Sequence, residues 1–182
     1  MPTLLYLKEV NRTPVVLIDG RAGSGKSTLA ATLSDLVFEV DRQSPKIIHM
    51  DDLYPGWQGL SAGSIYLTEQ ILKPLSQIGK TNWQCWDWEK GTRGGRDEGN
   101  GWRSLEGDNL VIVEGCGSMT QNSKNFSNLA IWVESDMDQR NRRFIDRDNG
   151  KFADRWSAWS AHEDEFYQDA KSSSLADVTI RN

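Results

Sequence analysis

The chain has 182 residues, with 21 Lys and Arg against 26 Asp and Glu, a net charge of -5, two Cys, two His and eight Trp. A chain of this length buries roughly 70% of its unfolded surface as one domain without disulfides or a structural metal, and its acidic balance argues against a broad grip on nucleic acid or an anionic membrane, which needs a basic face. Cys85 and Cys116 show no zinc-type or disulfide-rich spacing, the longest apolar runs fall far short of the roughly 20 residues of a membrane helix, and the N-terminus lacks a basic segment followed by an apolar core, so a cytoplasmic protein is expected.

Pro14-Val15-Val16-Leu17-Ile18-Asp19 reads as a buried strand closed by Gly20. Leu29, Ala30, Leu33, Leu36 and Val37 then fall at helical spacing over residues 26 to 38, so the chain opens as an α/β unit. Pro45 precedes a second strand, residues 46 to 50, which runs into Asp51-Asp52-Leu53-Tyr54 and a Pro55-Gly56 turn. Residues 64 to 78 carry helical spacing, with Pro74 predicting a kink or an early end. Residues 81 to 103 fit no period, and their four Trp and five Gly predict a hairpin or flap outside the core. Residues 110 to 115, 130 to 133 and 176 to 180 read as further strands, separated by helical patterns at 136 to 148 and 152 to 170. Strands alternating with helices predict an α/β fold, one domain with a mostly parallel sheet covered on both faces and a site at the strand C-terminal ends.

Gly20-Arg21-Ala22-Gly23-Ser24-Gly25-Lys26-Ser27 matches GxxxxGK[ST] in full between a buried strand and an amphipathic helix. Glycines let successive N–H groups face an anion, and the following helix dipole adds to the attraction. Gly20, Ala22, Gly23, Ser24, Gly25, Lys26, Ser27 and Thr28 are the expected ATP-binding stretch, with Lys26 on the β- and γ-phosphates and Ser27 on Mg²⁺.

Asp51 and Asp52 follow the second strand and point toward that loop, where a carboxylate can take the proton of a hydroxyl attacking the γ-phosphate; the alternative is a capping pair. Glu114 ends the most apolar strand, a location suited to holding Mg²⁺ together with Ser27 and Asp51. Arg140, Arg143 and Arg147 recur on one helical face, with Arg142 beside them. They can neutralise a transferring phosphoryl group as a lid, or pair with Asp136, Asp138, Asp146 and Asp148 on a solvated helix.

With these motifs and the closing Ala176-Asp177-Val178-Thr179-Ile180, the chain resembles the uridine kinase and nicotinamide riboside kinase group of P-loop kinases over nearly its whole length, and looks especially like that group's short uridine-kinase-like ATP-binding proteins. The resemblance implies a P-loop three-layer sandwich on a five-stranded parallel sheet, with a Trp-rich flap and a lid near 138 to 152. It also implies ATP-dependent phosphorylation of a hydroxyl, often of a nucleoside. By motif position Asp51 matches the catalytic base, Glu114 the magnesium-associated carboxylate, and Arg140, Arg143 and Arg147 the lid. Asp87 sits where the group has an acidic substrate-facing hairpin, although Trp-rich sequence replaces the usual stretch there.

Asp52, Tyr54, Trp57, Asp87 and Trp88 are therefore the expected substrate-binding residues, with core packing the alternative for any single Trp. In an extended segment Trp86 and Trp88 share one face and Asp87 takes the other. Trp156, Trp159 and Glu163 share a helix face and read as packing; His49, His162 and Cys116 read as structural. The leading expectation is an ATP- and Mg²⁺-dependent small-molecule kinase, monomer or homodimer, with a hydroxylated acceptor and no nucleic-acid or membrane partner. The alternatives are a regulatory ATPase acting through a protein partner, and a nucleotide kinase whose phosphate acceptor is held by Arg93, Arg96 and Arg103.

Overall fold

Residues 13–94, 99–147 and 149–182 are described by a computed structural model; Arg96 and Asp148 fall outside them. β1 (Val15–Asp19) is buried at every position, as a β-branched run between two covered faces requires. It leads through the Gly-rich loop into α1 (Lys26–Asp41), then β2 (Lys46–His49) and a 3₁₀ turn, Met50–Asp52. Next come α2 (Leu60–Tyr66), a π-helical stretch (Leu67–Leu72) and α3 (Lys73–Ile78). Pro74 explains the π-helix. Proline has no N–H for the carbonyl of residue 70 and its ring crowds that oxygen, so the turn before it widens. The Gln70 carbonyl instead accepts from Thr81 Oγ1 at 2.7 Å. The predicted kink is thus an inserted residue, not an end.

The segment after α3 folds as nested hairpins, β3 (Lys80–Gln84) antiparallel to β6 (Trp102–Glu106), and within them β4 (Trp86–Asp87) antiparallel to β5 (Thr92–Arg93). A hairpin is what the sequence predicts, but its exclusion from the core needs correction. Thr81 and Trp83 alternate inward along β3, and Trp83 joins Leu105, Leu67 and Ile71 in the main apolar cluster.

β7 (Val111–Glu114), α4 (Gln121–Lys124), β8 (Leu129–Glu134), α5 (Met137–Arg147), α6 (Trp156–Ala170), α7 (Ser172–Leu175) and β9 (Val178–Arg181) complete the chain. The central sheet has five strands, all parallel, in the order β2-β7-β1-β8-β9. Alternate residues of β1 and β7 feed two cores. Val15, Leu17, Val111 and Val113 face the α2 and α6 side, while Val16, Ile18, Ile112 and Ala30 of α1 fill the other. Burying each such aliphatic side chain contributes about 1.5–3 kcal/mol. Among the described residues no helix is long and apolar enough to cross a membrane.

Candidate active site

The phosphate loop, Asp51 and Glu114 collect at the C-terminal edge of the sheet. β1 delivers the loop at residues 20–25, and two of its glycines are required by close packing. Gly20 has φ +149° and would drive a Cβ into the Val133 carbonyl; Gly23 has φ +76° and would drive one into the Arg140 backbone. The first N–H groups of α1 have no intrahelical partner and open onto the loop. Lys26 is buried and its Nζ donates to the Arg21 carbonyl at 2.9 Å. Burial pulls its pKa down, but Cys116, Glu163, Glu114 and Asp19 around it outweigh that, so the ammonium is held above its ordinary range.

Glu114 Oε2 accepts from Ser27 Oγ at 3.1 Å, and Oε1 lies 2.6 Å from His49 Nδ1. The parallel register that sets His49 opposite Glu114 makes this contact. Burial raises the Glu114 pKa, yet His49, Lys26 and Ser27 outweigh it and the carboxyl ends below its usual range; His49 is raised by the same hydrogen bond. The hydroxyl of Ser27 and the carboxylate of Glu114 are an oxygen donor pair suited to a hard cation that keeps waters and phosphate oxygens as its other ligands. Such an oxygen-only pair fits Mg²⁺.

Asp51 stands in the 3₁₀ turn after β2, its carboxylate 3.8 Å from Arg147 Nη1, with both side chains more than half exposed. Desolvation, with Glu114 and Asp52 nearby, raises its pKa against the pull of Arg147 and Lys26. Asp52 is raised for the same first reason, against His49 and Arg103.

The three lid arginines do not act alike. Arg143 Nη1 donates to the Gly23 carbonyl at 3.3 Å, and Arg147 reaches Asp51. Arg140 is buried, donating to the Ser135 and Ala22 carbonyls at 3.2 and 3.4 Å, with Glu163 3.7 Å away. Its expected lid role is corrected to a place beneath the loop, because α5 crosses the loop there.

On the acceptor side, Trp57 meets Trp88, Phe152 and Trp159 with ring centroids 5.2, 5.3 and 5.9 Å apart, and Trp88 Nε1 donates to the Asp51 carbonyl at 2.9 Å. Two expected substrate residues are elsewhere. Tyr54 is buried in the core with its hydroxyl donating to the Cys116 carbonyl at 2.6 Å. Asp87 is buried, and its Oδ1 accepts the Glu89 and Lys90 N–H groups of the hairpin turn.

Besides His49, two polar residues at the site stand outside the expected set. Asp19 is fully buried and accepts from the N–H groups of Gly20, Gly117 and Met119 and from the Tyr167 hydroxyl. Burial nevertheless raises its pKa to about 6. Glu163, read as packing, accepts from the Ala22 N–H, Trp159 Nε1 and Cys116 Sγ. The polar residue inside the apolar Trp156–Trp159 face is the one local sign of it.

A full phosphate loop between the central strand of an all-parallel five-stranded sheet and its following helix is the fold of the phosphate-loop kinases. The structure is similar to that of a possible uridine kinase from Bacillus stearothermophilus, at TM-score 0.65 and 21% identity over 98% of this chain and 97% of that one. It is also similar to a candidate fructose transport system kinase from a Silicibacter species (TM-score 0.55, 16% identity, 99% and 98% covered). A third likeness is to a shikimate kinase from Acinetobacter baumannii in complex with shikimate (TM-score 0.51, 14% identity, 96% and 87% covered). No protein-family profile matches the chain, and no curated protein sequence does.

Proposed function

We propose that this chain is a cytoplasmic ATP- and Mg²⁺-dependent kinase that phosphorylates a hydroxyl of a nucleoside-like or other small metabolite. The observation that carries the reading is Arg147 meeting Asp51 at 3.8 Å beside a complete phosphate loop, which brings a base and a counter-charge to one cleft. Lys26 and the loop N–H groups bind the β- and γ-phosphates. Asp51 takes the acceptor hydroxyl proton as that oxygen bonds to the γ-phosphorus and the bond to the β-phosphate oxygen breaks, releasing ADP. Arg143 and Arg147 neutralise charge on the transferring group. Ser27 and Glu114, with Asp51 alongside, would hold Mg²⁺, which would supply further neutralisation of the phosphate oxygens. The Trp57 and Trp88 rings offer an apolar wall that keeps water from competing as acceptor.

A phosphorylated acceptor is the weaker reading. Arg93, which would bind its phosphate, donates to the Gln84 and Leu53 carbonyls and lies 3.6 Å from the Tyr66 ring centroid. The test is ADP release across nucleosides, sugars, vitamins and cyclic polyols, nucleosides first given the Bacillus likeness. One acceptor class is expected to raise the rate at least about tenfold over the acceptor-free rate, an increase lost in Lys26→Ala. Tight ATP binding with no stimulated release across the panel favours a regulatory nucleotide-binding protein instead.

A further inference from the structure

We infer that Arg140 and Glu163 form a buried clamp on the backbone of Ala22, fixing the phosphate loop in its anion-binding shape and seating on it the helix that carries Arg143 and Arg147. The inference deepens the nucleotide site proposed above and is separable from it.

The two backbone polar groups of one loop residue, which belong to successive peptide groups, are held by oppositely charged side chains. The Ala22 N–H donates to Glu163 Oε1 at 2.6 Å and the Ala22 carbonyl accepts from Arg140 Nη1 at 3.4 Å. The guanidinium and carboxylate themselves stand 3.7 Å apart, both buried. Neither residue is near Ala22 in sequence. Arg140 comes from α5 and Glu163 from α6, so the clamp joins three separate parts of the chain. The next loop residue tightens the joint: Gly23 passes so close to the Arg140 backbone that only hydrogen fits, and its carbonyl accepts from Arg143.

Glu163 has few other ways to satisfy its charge. Oε1 also accepts from Trp159 Nε1 and Cys116 Sγ, each at 3.1 Å, while Oε2 has no hydrogen-bond donor among the described residues; Arg140 stands 3.7 Å and Arg21 3.9 Å from it, and the Lys26 ammonium also feels the Glu163 charge. Arg21 is itself engaged by Asp164 at 2.6 Å. Removing Arg140 therefore leaves a carboxylate that water does not reach, and the accessible relief is displacement of the loop and of α5. A carboxylate so near a polyphosphate site also repels the ligand it serves, and the adjacent cation offsets that repulsion. Preorganised loop amides are what bind the phosphates. Arg140 and Glu163 are accordingly positioning residues acting through Ala22.

Hydrogen exchange of the full chain, with no ligand and then with ADP or inorganic tripolyphosphate, tests the clamp in Arg140→Met, Glu163→Gln and the double variant. Amides of residues 21–25 are expected to exchange at least about tenfold faster in each single variant while core amides of β1 and β7 keep their protection. ADP and tripolyphosphate are expected to bind about tenfold more weakly, and the double variant no worse than the worse single one, because both act on the backbone of the same loop residue. Unchanged loop exchange, or a uniform rise across the chain with additive losses, overturns the clamp. Arg140→Lys keeps the buried charge and loses the fork; should the other variants not fold, a wild-type loop pattern in Arg140→Lys overturns it equally. If the wild type binds neither probe, the nucleotide reading falls while the exchange result still decides the clamp.

Discussion

His49 and Glu114 face each other across neighbouring parallel strands, His49 Nδ1 lying 2.6 Å from Glu114 Oε1, while the other carboxylate oxygen accepts from Ser27 Oγ at 3.1 Å. A carboxylate held at both oxygens is oriented before any cation arrives, and such supporting contacts alter metal affinity by about 10- to 100-fold. His49→Ala is expected to raise the Mg²⁺ concentration needed for half-maximal ADP binding about tenfold. The half-exposed ring adds little to stability. Calorimetric titration of ADP at graded Mg²⁺ checks this, and an unchanged midpoint would refute the orienting role.

Asp51→Asn keeps the shape of the side chain and removes its basicity. Turnover is expected to fall about 10²- to 10⁴-fold, the usual contribution of a general base, with ATP affinity changed by no more than about twofold because Lys26 and the loop amides bind the phosphates. Desolvation raises Asp51 above its ordinary 3.8. An ionised carboxylate is required to take the proton, so kcat/KM falls as pH drops through that raised value, and the variant loses this limb. Near wild-type turnover in Asp51→Asn on the true acceptor would remove it as base.

Asp19 makes a different pH prediction, one of stability. Its pKa is raised by burial from 3.8 to about 6 despite four hydrogen-bond donors and Lys26. Between these values the folded protein holds a proton that the unfolded chain has released. Stability from this group is therefore greatest below 3.8 and declines as pH rises, by about 3 kcal/mol once pH exceeds 6. Urea unfolding from pH 4 to 7 should show wild-type stability falling relative to Asp19→Asn across this window and running parallel above it. A constant difference between the two proteins would show that Asp19 does not titrate there.

The local features were the readable ones. The loop motif, the short apolar runs, the helical periods and the position of Asp51 after a strand are each written within a few consecutive residues, and they lead to the observed all-parallel five-stranded α/β fold. Pairings across the chain were not. Tyr167 reaches Asp19 over 148 positions and Glu163 reaches Ala22 over 141; nothing in a helical period says which buried polar residue will meet which loop amide. His49 looked structural because only strand register sets it opposite Glu114. Trp83 was hidden by the glycines around it, though β3 still alternates.

Thr81 tests the account of the π-helix. Its Oγ1 supplies the hydrogen bond that Pro74 denies to the Gln70 carbonyl. Thr81→Val keeps the volume and leaves that carbonyl without the hydroxyl donor, at a cost of about 1–3 kcal/mol. Urea denaturation measures it, and Pro74→Ala in the same background should recover part of the loss by restoring an N–H. No recovery would mean that the π-helix has another cause.

On the proposed function, the acceptor sits against the aromatic wall. Trp57 touches Trp88 from the hairpins, Phe152 from beyond α5 and Trp159 of α6, and Trp88 Nε1 holds the backbone of Asp51 at 2.9 Å. Trp88→Phe preserves a ring and removes that N–H, so it loosens the base without opening the wall. Trp57→Ala removes the ring on which the others meet, worth about 0.5–1.5 kcal/mol per aromatic pair beyond the area buried. Each is expected to raise the acceptor KM, Trp57→Ala by about tenfold and Trp88→Phe by less, with the ATP KM unchanged because neither residue contacts the phosphate loop. Steady-state kinetics with both substrates varied separates the two effects. A rise in the ATP KM alone would move these rings to the nucleotide side of the cleft, and an unchanged acceptor KM in both variants would place the acceptor away from the wall.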